Sequence, residues 1–552
     1  MKIALLQCNG ITGDIVGNSE KILRAVKNAG AQGANLCITS ELAICGVNPR
    51  SLIFTDNFVK GCRTALLNMA HKLQGGPAVL IGAPVETANE GTFSNAAVLL
   101  QNGNISIISN KILSPNDTDN SYQYFESGTS CGRITIGGWS LGVVLCHDTH
   151  QKHSFWKTQH HNIHKPLMEL ITSGIDGIVH MSATAFVKDA QRHREHILSH
   201  VAARHHIHLF SVNAIGGYDN IIYTGQSLAF DPKGVLLARG YAFEEDIVIV
   251  DTAVPNELSI MTSPIEEEEY WNALVLGTKD YVTKSGMKNV ILGLSGGIDS
   301  ALVAAIAVEA LGKKHVHGIS LPSPFTSQRS VEYINKLVNN LDIKLDCIPI
   351  KPIMESFKTA LNPLLGNILE KEICLTMENI QARIRGNIIM AIANTTDSLV
   401  LNTSNKSESF MGYATLYGDT VGALSILGDV PKTQVYKLAT WYNKHYPKKA
   451  IPQEIIERPP TAELRPNQLD SDSLPPYDKI DSTMENILCV KSNVNQKINI
   501  CTEEDTIEKI IFHHMNKYEF KRKQCPPALR ISTECLGKDW HIPTVSKVRL
   551  PE

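Results

Sequence analysis

The chain has no cysteine pair in Cys-x-x-Cys spacing, no apolar run of 18 residues and no large excess of one charge sign. Each gap removes a class of protein. The twelve cysteines are scattered (8, 37, 45, 62, 131, 146, 347, 374, 489, 501, 525 and 535). That spacing argues against a disulfide framework and a thiolate zinc site, and it suits a reducing compartment. Without a long apolar run there is no sequence candidate for a membrane span, so no membrane partner is expected. Residues 1–6 read as the start of a strand, without a signal-peptide pattern, and the expected location is cytoplasmic. A formal charge of −3 over 552 residues argues against a nucleic-acid partner held by bulk electrostatics. No internal repeat or low-complexity segment is visible. What remains, 43% hydrophobic and 19% charged residues, is an ordinary globular composition on a chain too long for one core.

Hydrophobic patterning divides the chain. The first half alternates short apolar runs, expected as strands at 2–7, 36–39, 78–82, 96–100, 105–108, 141–145, 177–180, 209–212, 227–231 and 247–251, with helical patterns near 19–29, 58–71 and 189–204. This predicts a large mixed sheet system with helices outside. The pattern lapses around 252–264, and an acidic run at 266–269 then opens a new helix. Acidic residues are favoured by the dipole at a helix start, so that run needs no functional reading. Domains are expected at 1–255 and 265–552. The second is expected to be a doubly wound α/β fold, with strands at 290–295, 315–320, 344–350 and 398–402 and an irregular loop in the Pro-, Asp- and Ser-rich stretch 450–480.

Residues 290–300 read Val-Ile-Leu-Gly-Leu-Ser-Gly-Gly-Ile-Asp-Ser, an apolar strand running into a glycine turn and a helical stretch. The order places the backbone N–H groups of residues 295–300 at a helix N-terminus, where unpaired donors and partial positive charge seat a phosphate. Gly296 and Gly297 let the backbone turn sharply and approach phosphate oxygens. A Gly-Gly turn can also serve plain α/β packing, but the flanking Ser295, Asp299 and Ser300 favour the anion seat. The Gly-Lys-[Ser/Thr] ending of a Walker A loop is missing. The loop resembles the Ser-Gly-Gly-x-Asp-Ser loop of the ATP pyrophosphatases. That resemblance implies ATP binding by Gly293, Leu294, Ser295, Gly296, Gly297, Ile298, Asp299 and Ser300.

Three residues of the first half stand at strand ends with complementary chemistry: Glu41 after 36–39, Lys111 after 105–108 and Cys146 after 141–145. A thiol needs a base to become a thiolate, and a cation steadies a developing oxyanion. Taken alone, a cysteine at a strand end is more often a small buried hydrophobe. The surroundings decide: Ser40-Glu-Leu-Ala-Ile-Cys-Gly46, Asn110-Lys-Ile-Leu-Ser114 and Gly142-Val-Val-Leu-Cys-His-Asp148 resemble the Glu-Lys-Cys triad of the nitrilase superfamily, in the same chain order. Segments 182–186, 213–219 and 225–227 match further. The resemblance implies an α-β-β-α sandwich in which Cys146 attacks an amide carbon, Glu41 is the base and Lys111 stabilises the tetrahedral intermediate. It also implies glutamine contacts at Ser182, Lys188 and Asn116. Thirteen of the twenty histidines lie between His147 and His208. Pairs such as His147/His150 and His193/His196 have metal-compatible spacing, but no Glu or Cys completes a ligand set, so solvated helix faces and loops are the better reading.

Downstream of the glycine turn, Leu321-Pro-Ser-Pro-Phe-Thr-Ser327, Glu378-Asn-Ile-Gln-Ala-Arg-Ile-Arg-Gly386, Asn402-Thr-Ser-Asn-Lys-Ser-Glu408, Gly412-Tyr-Ala-Thr-Leu-Tyr-Gly-Asp419, Pro459-Pro-Thr-Ala-Glu-Leu464, Leu474-Pro-Pro-Tyr477 and Phe520-Lys-Arg-Lys-Gln524 follow in one order. With a nitrilase-like half ahead of them, they resemble the glutamine-dependent NAD⁺ synthetase family over essentially the whole chain. The resemblance implies a doubly wound Rossmann-like second domain. It implies Mg²⁺ at Asp299 and Glu408, an ATP contact at Thr403, and deamido-NAD⁺ contacts at Asn379, Glu408 and Lys521. It further implies a homo-oligomer, deamido-NAD⁺ held partly at a subunit interface, and a shielded passage for ammonia. The expected reaction converts deamido-NAD⁺, ATP and L-glutamine into NAD⁺ through an adenylate. Arg383 and Arg385 lie in a helical pattern and could each be surface charge on a core helix, and the cluster 521–523 could be a solvated one, but the functional reading is favoured for all of them. Two rival readings are an ammonia-dependent synthetase with a silent first domain, and a nucleotide-sensing scaffold in which both sites are dead.

The chain departs from the family in four places. His147 stands where glutamate usually follows the nucleophile, Ala185 where proline is frequent, and the tail 536–543 lacks its usual basic pair. Asn116 falls at the position of a tyrosine that helps hold glutamine. Asn116→Tyr is therefore expected to change the KM for glutamine several-fold, a contact of about 1 kcal/mol, and to leave the KM for ammonia unchanged. Steady-state kinetics with each nitrogen source check this.

Overall fold

A computed structural model describes residues 1–113, 121–145, 161–253, 265–369, 375–491, 506–537, 540 and 542–545, the side chains of 161–166, 366–369, 489–491 and 506 excepted. The chain divides into two compact units, Met1–Pro264 and Ile265–Glu552. Among the described residues no helix is long and apolar enough to cross a membrane.

The first unit is built on two six-stranded sheets and a hairpin, Ile215–Tyr218 with Ile221–Thr224. In spatial order one sheet runs Asp246–Asp251, Lys2–Gln7, Leu36–Thr39, Ala78–Glu86, Phe93–Gln101, Asn104–Asn110. The other runs Leu236–Arg239, Leu228–Phe230, His208–Asn213, Gly177–Ser182, Trp139–Leu145, Gly132–Ile136. Alternation along Lys2–Gln7 explains the layering. Ile3 and Leu5 enter a core shared with Val143, Val179 and Phe210 of the other sheet. Ala4 and Leu6 enter a second core with Ile22 and Val26 of the helix Ile15–Ala31 and Cys62 and Leu66 of the helix Phe58–Lys72. A strand covered on both faces has no polar side, so it reads as a continuous apolar run. On the far side, Leu198, Val201 and Ala202 of the helix Ala190–His205 pack on Leu209, Leu228 and Phe230. The result is the expected α-β-β-α sandwich.

The second unit carries a five-stranded, all-parallel sheet in the order Lys344–Cys347, Val316–Ser320, Asn289–Gly293, Ser398–Asn402, Leu424–Ser425. The first strand in sequence lies centrally, and the chain winds outward from it in both directions. Such a switch point opens a crevice at the carboxyl ends of the strands. The helix Ile298–Leu311 follows that strand and is buried along nearly its whole length, so its N-terminus is held rigidly at the crevice.

Three sequence expectations are corrected. The strand expected at 290–295 ends at Gly293, because Leu294 already belongs to the turn. The strand expected at 344–350 ends at Cys347. The stretch 450–480 is not wholly irregular: it holds the helix Gln453–Glu457 and the start of the helix Tyr477–Lys491. The strands Gly132–Ile136, Leu236–Arg239 and Leu424–Ser425 and the hairpin lack a clear sequence signal, being short or rich in glycine.

One glycine shows how closely the first sheet supports the turn behind Glu41. A Cβ at Gly82 would lie 2.4 Å from both Leu42 N and Ser40 O and 2.8 Å from Glu41 C. Gly82→Ala is therefore expected to destabilise this unit by about 1–3 kcal/mol, the usual range for overpacking. A thermal melt checks it, and an unchanged midpoint would mean that the 40–42 backbone has room to move.

Candidate active sites

In the first unit Glu41 follows the strand Leu36–Thr39 and Lys111 follows Asn104–Asn110 of the same sheet. Both residues are 4% exposed, and Lys111 Nζ lies 2.5 Å from Glu41 Oε1. Asn95 Nδ2 donates to the same oxygen at 2.6 Å. Its main-chain carbonyl accepts the Lys111 N–H at 2.7 Å, so Asn95 positions both partners. Asn95 was not singled out from sequence; its only signal is an amide in the apolar run Phe93–Gln101. Glu41 Oε2 is buried and has no hydrogen-bond partner among the described residues. Cys146, the third expected member, and Asn116 lie outside the described residues. The strand Trp139–Leu145, which leads directly to Cys146, belongs to the second sheet, with Leu145 in register with Met181.

Ser182 ends the neighbouring strand Gly177–Ser182 and is wholly buried. Its hydroxyl donates to Asn213 Oδ1 at 3.0 Å, and the Thr184 N–H reaches the same oxygen at 2.7 Å. The Asn213 N–H meets Ser227 Oγ at 3.2 Å, and that hydroxyl donates to Gln7 Oε1 at 3.0 Å. This chain of bonds fixes the backbone under Ser182. Lys188 is exposed just ahead of the helix Ala190–His205. Arg194 on that helix is buried and donates to the carbonyls of Gly225 and Gln226, and burial pulls its pKa down to about 10. His180 is completely buried with Nδ1 2.9 Å from Ser211 Oγ; burial, helped by Arg194 and Lys111, pulls its pKa down to about 3. It is a neutral core histidine. Among the described residues no His/Cys/Asp/Glu group of three or more could hold a metal.

In the second unit residues 293–300 and Thr403 line one cavity of about 300 Å³. Gly296 has φ +80°, and a Cβ there would lie 2.9 Å from Ser330 O, so the turn requires glycine. The loop braces itself: Ser295 Oγ accepts the Gly297 N–H at 3.2 Å, and Ser300 Oγ donates to Gly297 O at 3.1 Å. Asp299 and Glu408 face each other across Lys432, whose Nζ lies 2.5 Å from Asp299 Oδ2 and 3.4 Å from Glu408 Oε1. Asn405 Nδ2 holds the other Asp299 oxygen at 2.9 Å. Asn405 and Glu408 also cap one another at the start of the helix Lys406–Met411. Burial pushes the Glu408 carboxyl up to about 8; Lys432 opposes the rise and Asp299 adds to it. Burial alone would lower Lys432, but Asp299 and then Glu408 hold it above its ordinary range. The two directions agree physically, since one ammonium serves two carboxylates and sits closer to Asp299. Hard oxygens on two carboxylates beside the glycine turn suit Mg²⁺, which takes one or two carboxylates and completes its shell with phosphates and water.

Sequence reasoning missed much of the cavity wall. Lys432 escaped because it stands outside any glycine-rich signature, just after Pro431. Arg458 donates to Ser330 Oγ at 2.6 Å and to Glu463 Oε1 at 2.5 Å, from within the supposed irregular loop. Asp470 accepts from Tyr477 OH at 2.8 Å and also lines the cavity. The structure separates the ambiguous arginines. Arg385 is part of the cavity wall, its Nε donating to Leu321 O at 3.0 Å, and burial lowers its pKa to about 10. Arg383 is exposed and reaches Leu416 O at 3.2 Å. Lys521 Nζ donates to Gly412 O at 2.9 Å and Ala414 O at 2.7 Å, and Asn379 Oδ1 accepts from Thr415 Oγ1 at 2.9 Å. Both therefore brace the loop 412–419. Arg522 is buried against Glu519 and the Phe410 carbonyl, whereas Lys523 is exposed.

Comparison with known proteins places these sites in context. Residues 2–256 match the carbon–nitrogen hydrolase family and residues 270–525 the NAD synthase family. A glutamine-dependent NAD(+) synthetase of Synechocystis sp. is 39% identical, with 98% of each chain covered. One of Thermotoga maritima is 34% identical, over 100% of this chain and 99% of that one. Among solved structures, a glutamine-dependent NAD⁺ synthetase of Acinetobacter baumannii in complex with ADP aligns with a TM-score of 0.76 at 29% identity. It covers 99% of this chain and 98% of its own.

His180 yields a pH test. Its folded pKa of about 3 lies below the ordinary 6.5. Between those values the unfolded chain binds a proton that the folded unit refuses, so stability falls as pH drops through this window. The His180 contribution is complete above about pH 6.5 and declines below it by roughly 1.4 kcal/mol per pH unit. Denaturant unfolding from pH 7.5 to 4.5 should show His180→Asn with a flatter acid limb than the parent. Parallel limbs would contradict a buried neutral histidine.

Proposed function

The chain belongs to the glutamine-dependent NAD⁺ synthetase family, and from that membership we propose how its two units divide the reaction. The first releases ammonia from L-glutamine. The second uses ATP and that ammonia to convert deamido-NAD⁺ into NAD⁺, with AMP and pyrophosphate as the other products. The observation that supports this reading is the paired charge in each unit: Glu41 on Lys111 in the first, and Asp299 and Glu408 on Lys432 beside a phosphate-binding loop in the second.

In the glutaminase step Glu41 Oε2 accepts the Cys146 thiol proton. The thiolate attacks the amide carbon, and the Lys111 ammonium stabilises the developing oxyanion. The tetrahedral intermediate collapses as ammonia leaves with the proton held by Glu41, and water then cleaves the thioester to glutamate. Lys111 is held in place by its ion pair with Glu41 Oε1 at 2.5 Å. Ser182, Lys188 and Asn116 hold glutamine in this reading, Ser182 through the lone pairs left after its proton is given to Asn213.

In the synthetase step the nicotinate carboxylate of deamido-NAD⁺ attacks the α-phosphorus of ATP and pyrophosphate leaves. Ammonia then attacks the activated carbonyl and AMP leaves. The N–H groups of residues 295–300 and the Lys432 ammonium take the phosphate charge, and Thr403 contacts ATP from the neighbouring strand end. Mg²⁺, held by Asp299 and Glu408, would supply further charge neutralisation at the phosphates. Asn379, Glu408 and Lys521 line the side assigned to deamido-NAD⁺. For Asn379 and Lys521 the role is to shape the loop 412–419 against which the dinucleotide lies. A homo-oligomer acting in the cytoplasm completes the reading.

One experiment separates this reading from its rivals: NAD⁺ formation with glutamine and with ammonium chloride. Cys146→Ala is expected to abolish the glutamine-supported rate and leave the ammonia-supported rate intact. Asp299→Asn should depress both while glutamine hydrolysis persists at its basal level. A folded Cys146→Ala protein inactive with both nitrogen sources would defeat the two-site scheme.

A further inference from the structure

Lys406 and Asp429 form a second buried ion pair in the synthetase unit, apart from the cavity. The Lys406 side chain is 4% exposed and that of Asp429 is wholly buried, with Nζ 2.8 Å from Oδ1. Every charge-bearing atom is partnered. Lys406 Nζ also donates to Ser532 Oγ at 2.8 Å and to Glu534 O at 2.9 Å. Asp429 Oδ2 accepts the N–H groups of Ile531 and Ser532, each at 2.8 Å, and Oδ1 accepts Ser532 Oγ at 2.9 Å. A strap of chain near 527–534 is thereby fastened to two turns of the sheet domain. It is also laid along the edge strand Leu424–Ser425, where the Ser425 N–H meets Pro527 O at 2.9 Å and the Leu529 N–H meets Ser425 O at 3.2 Å.

Those two turns carry the site. Lys406 stands between Asn405, which holds Asp299, and Glu408. Asp429 stands three residues before Lys432, the cation shared by Asp299 and Glu408. The Lys406 N–H donates to Val430 O at 3.0 Å, and the Lys432 N–H donates to Ser407 Oγ at 2.8 Å, so the turns are also stitched to each other. We propose that Lys406, Asp429 and the strap they hold are positioning residues for the synthetase reaction: together they set the separation of Glu408 and Lys432, and hence the space offered to a divalent cation with nucleotide phosphate. This rests on the reading that Asp299 and Glu408 hold Mg²⁺. A pair whose desolvation is met by so many hydrogen bonds is rigid, because shifting either turn leaves a buried charge short of partners. Small displacements of phosphate-contacting groups are costly to rate.

The test is the double variant Lys406→Met/Asp429→Asn. It removes both charges, keeps an acceptor for the strap N–H groups and keeps the buried volume. Calorimetric titration with ATP, with and without Mg²⁺, is combined with ammonia-supported NAD⁺ synthesis, glutamine hydrolysis and a thermal melt. The expected protein melts within a few degrees of the parent and hydrolyses glutamine normally. Its half-saturating Mg²⁺ is raised several-fold and its ammonia-supported kcat falls on the order of tenfold or more. Parental Mg²⁺ dependence and kcat in the folded double variant would overturn the inference. Should that variant not fold, Ser532→Ala removes the one hydroxyl serving both charges. It is expected to raise half-saturating Mg²⁺ at least about twofold at an unchanged melting point, and no change there overturns the inference too. A parent chain that binds Mg²⁺ and ATP but forms no NAD⁺ would instead refute the proposed function, and the titration would still judge the positioning role.

Discussion

An ionised side chain taken out of water is costly unless an opposite charge and enough hydrogen bonds are buried with it. Both units of this protein are organised around that constraint. Glu41 is tolerable because Lys111 and Asn95 meet one of its oxygens. Asp299 and Glu408 are tolerable because Lys432 stands between them and Asn405 supports the first. In each case the compensation is incomplete in chemical terms: one Glu41 oxygen has no donor among the described residues, and two carboxylates share one cation. In the proposed reaction that remainder is what the chemistry uses: Glu41 Oε2 as the proton acceptor, and the carboxylate pair as the seat for added positive charge.

The sheets make such partial compensation sustainable. In the synthetase unit, parallel strands deliver residues from distant parts of the chain to one crevice, and the buried helix Ile298–Leu311 keeps the N–H groups of the phosphate loop from drifting. In the glutaminase unit Asn95, on the strand beside the one that leads to Lys111, holds both members of the pair. Close backbone approach does the rest. Gly82 admits the turn behind Glu41, and Gly296 admits the Ser330 carbonyl. A Cβ at either position would press on main chain: Ser40, Glu41 and Leu42 at Gly82, and Ser330 at Gly296.

Much of this was legible in the sequence, for identifiable reasons. Continuous apolar runs such as residues 2–7 and 290–293 announce strands buried on both faces, and the turn 295–300 announces an anion site through its two glycines. Glu41, Lys111, Asp299 and Glu408 follow strands or sit in ungapped motifs, so their pairing could be anticipated. The rest was hidden because it depends on side chains meeting across long separations. Lys432 is a lysine at a helix start until the fold sets it between carboxylates contributed by residues 299 and 408. Asn95 is one amide in an apolar strand. Arg458, Glu463 and Asp470 lie in a stretch whose composition suggests a loose loop, yet the cavity wall draws on all three. Composition reports that such a segment lacks a core of its own, not that it lacks a place on another.

The strap across the synthetase sheet bears on how the protein is made. Residues 527–534 are synthesised about a hundred residues after Asp429, so while a ribosome is still reading the intervening codons Lys406 and Asp429 have only each other. Until the strap arrives, the edge strand Leu424–Ser425 also lacks the backbone that covers it and is open to pairing with foreign backbone. The glutaminase unit, Met1–Pro264, is synthesised before any of the synthetase unit. Order of translation thus finishes the ammonia-releasing half first and leaves the edge of the ATP-using half uncovered until its strap is made, the interval in which a chaperone would have an open strand to shield.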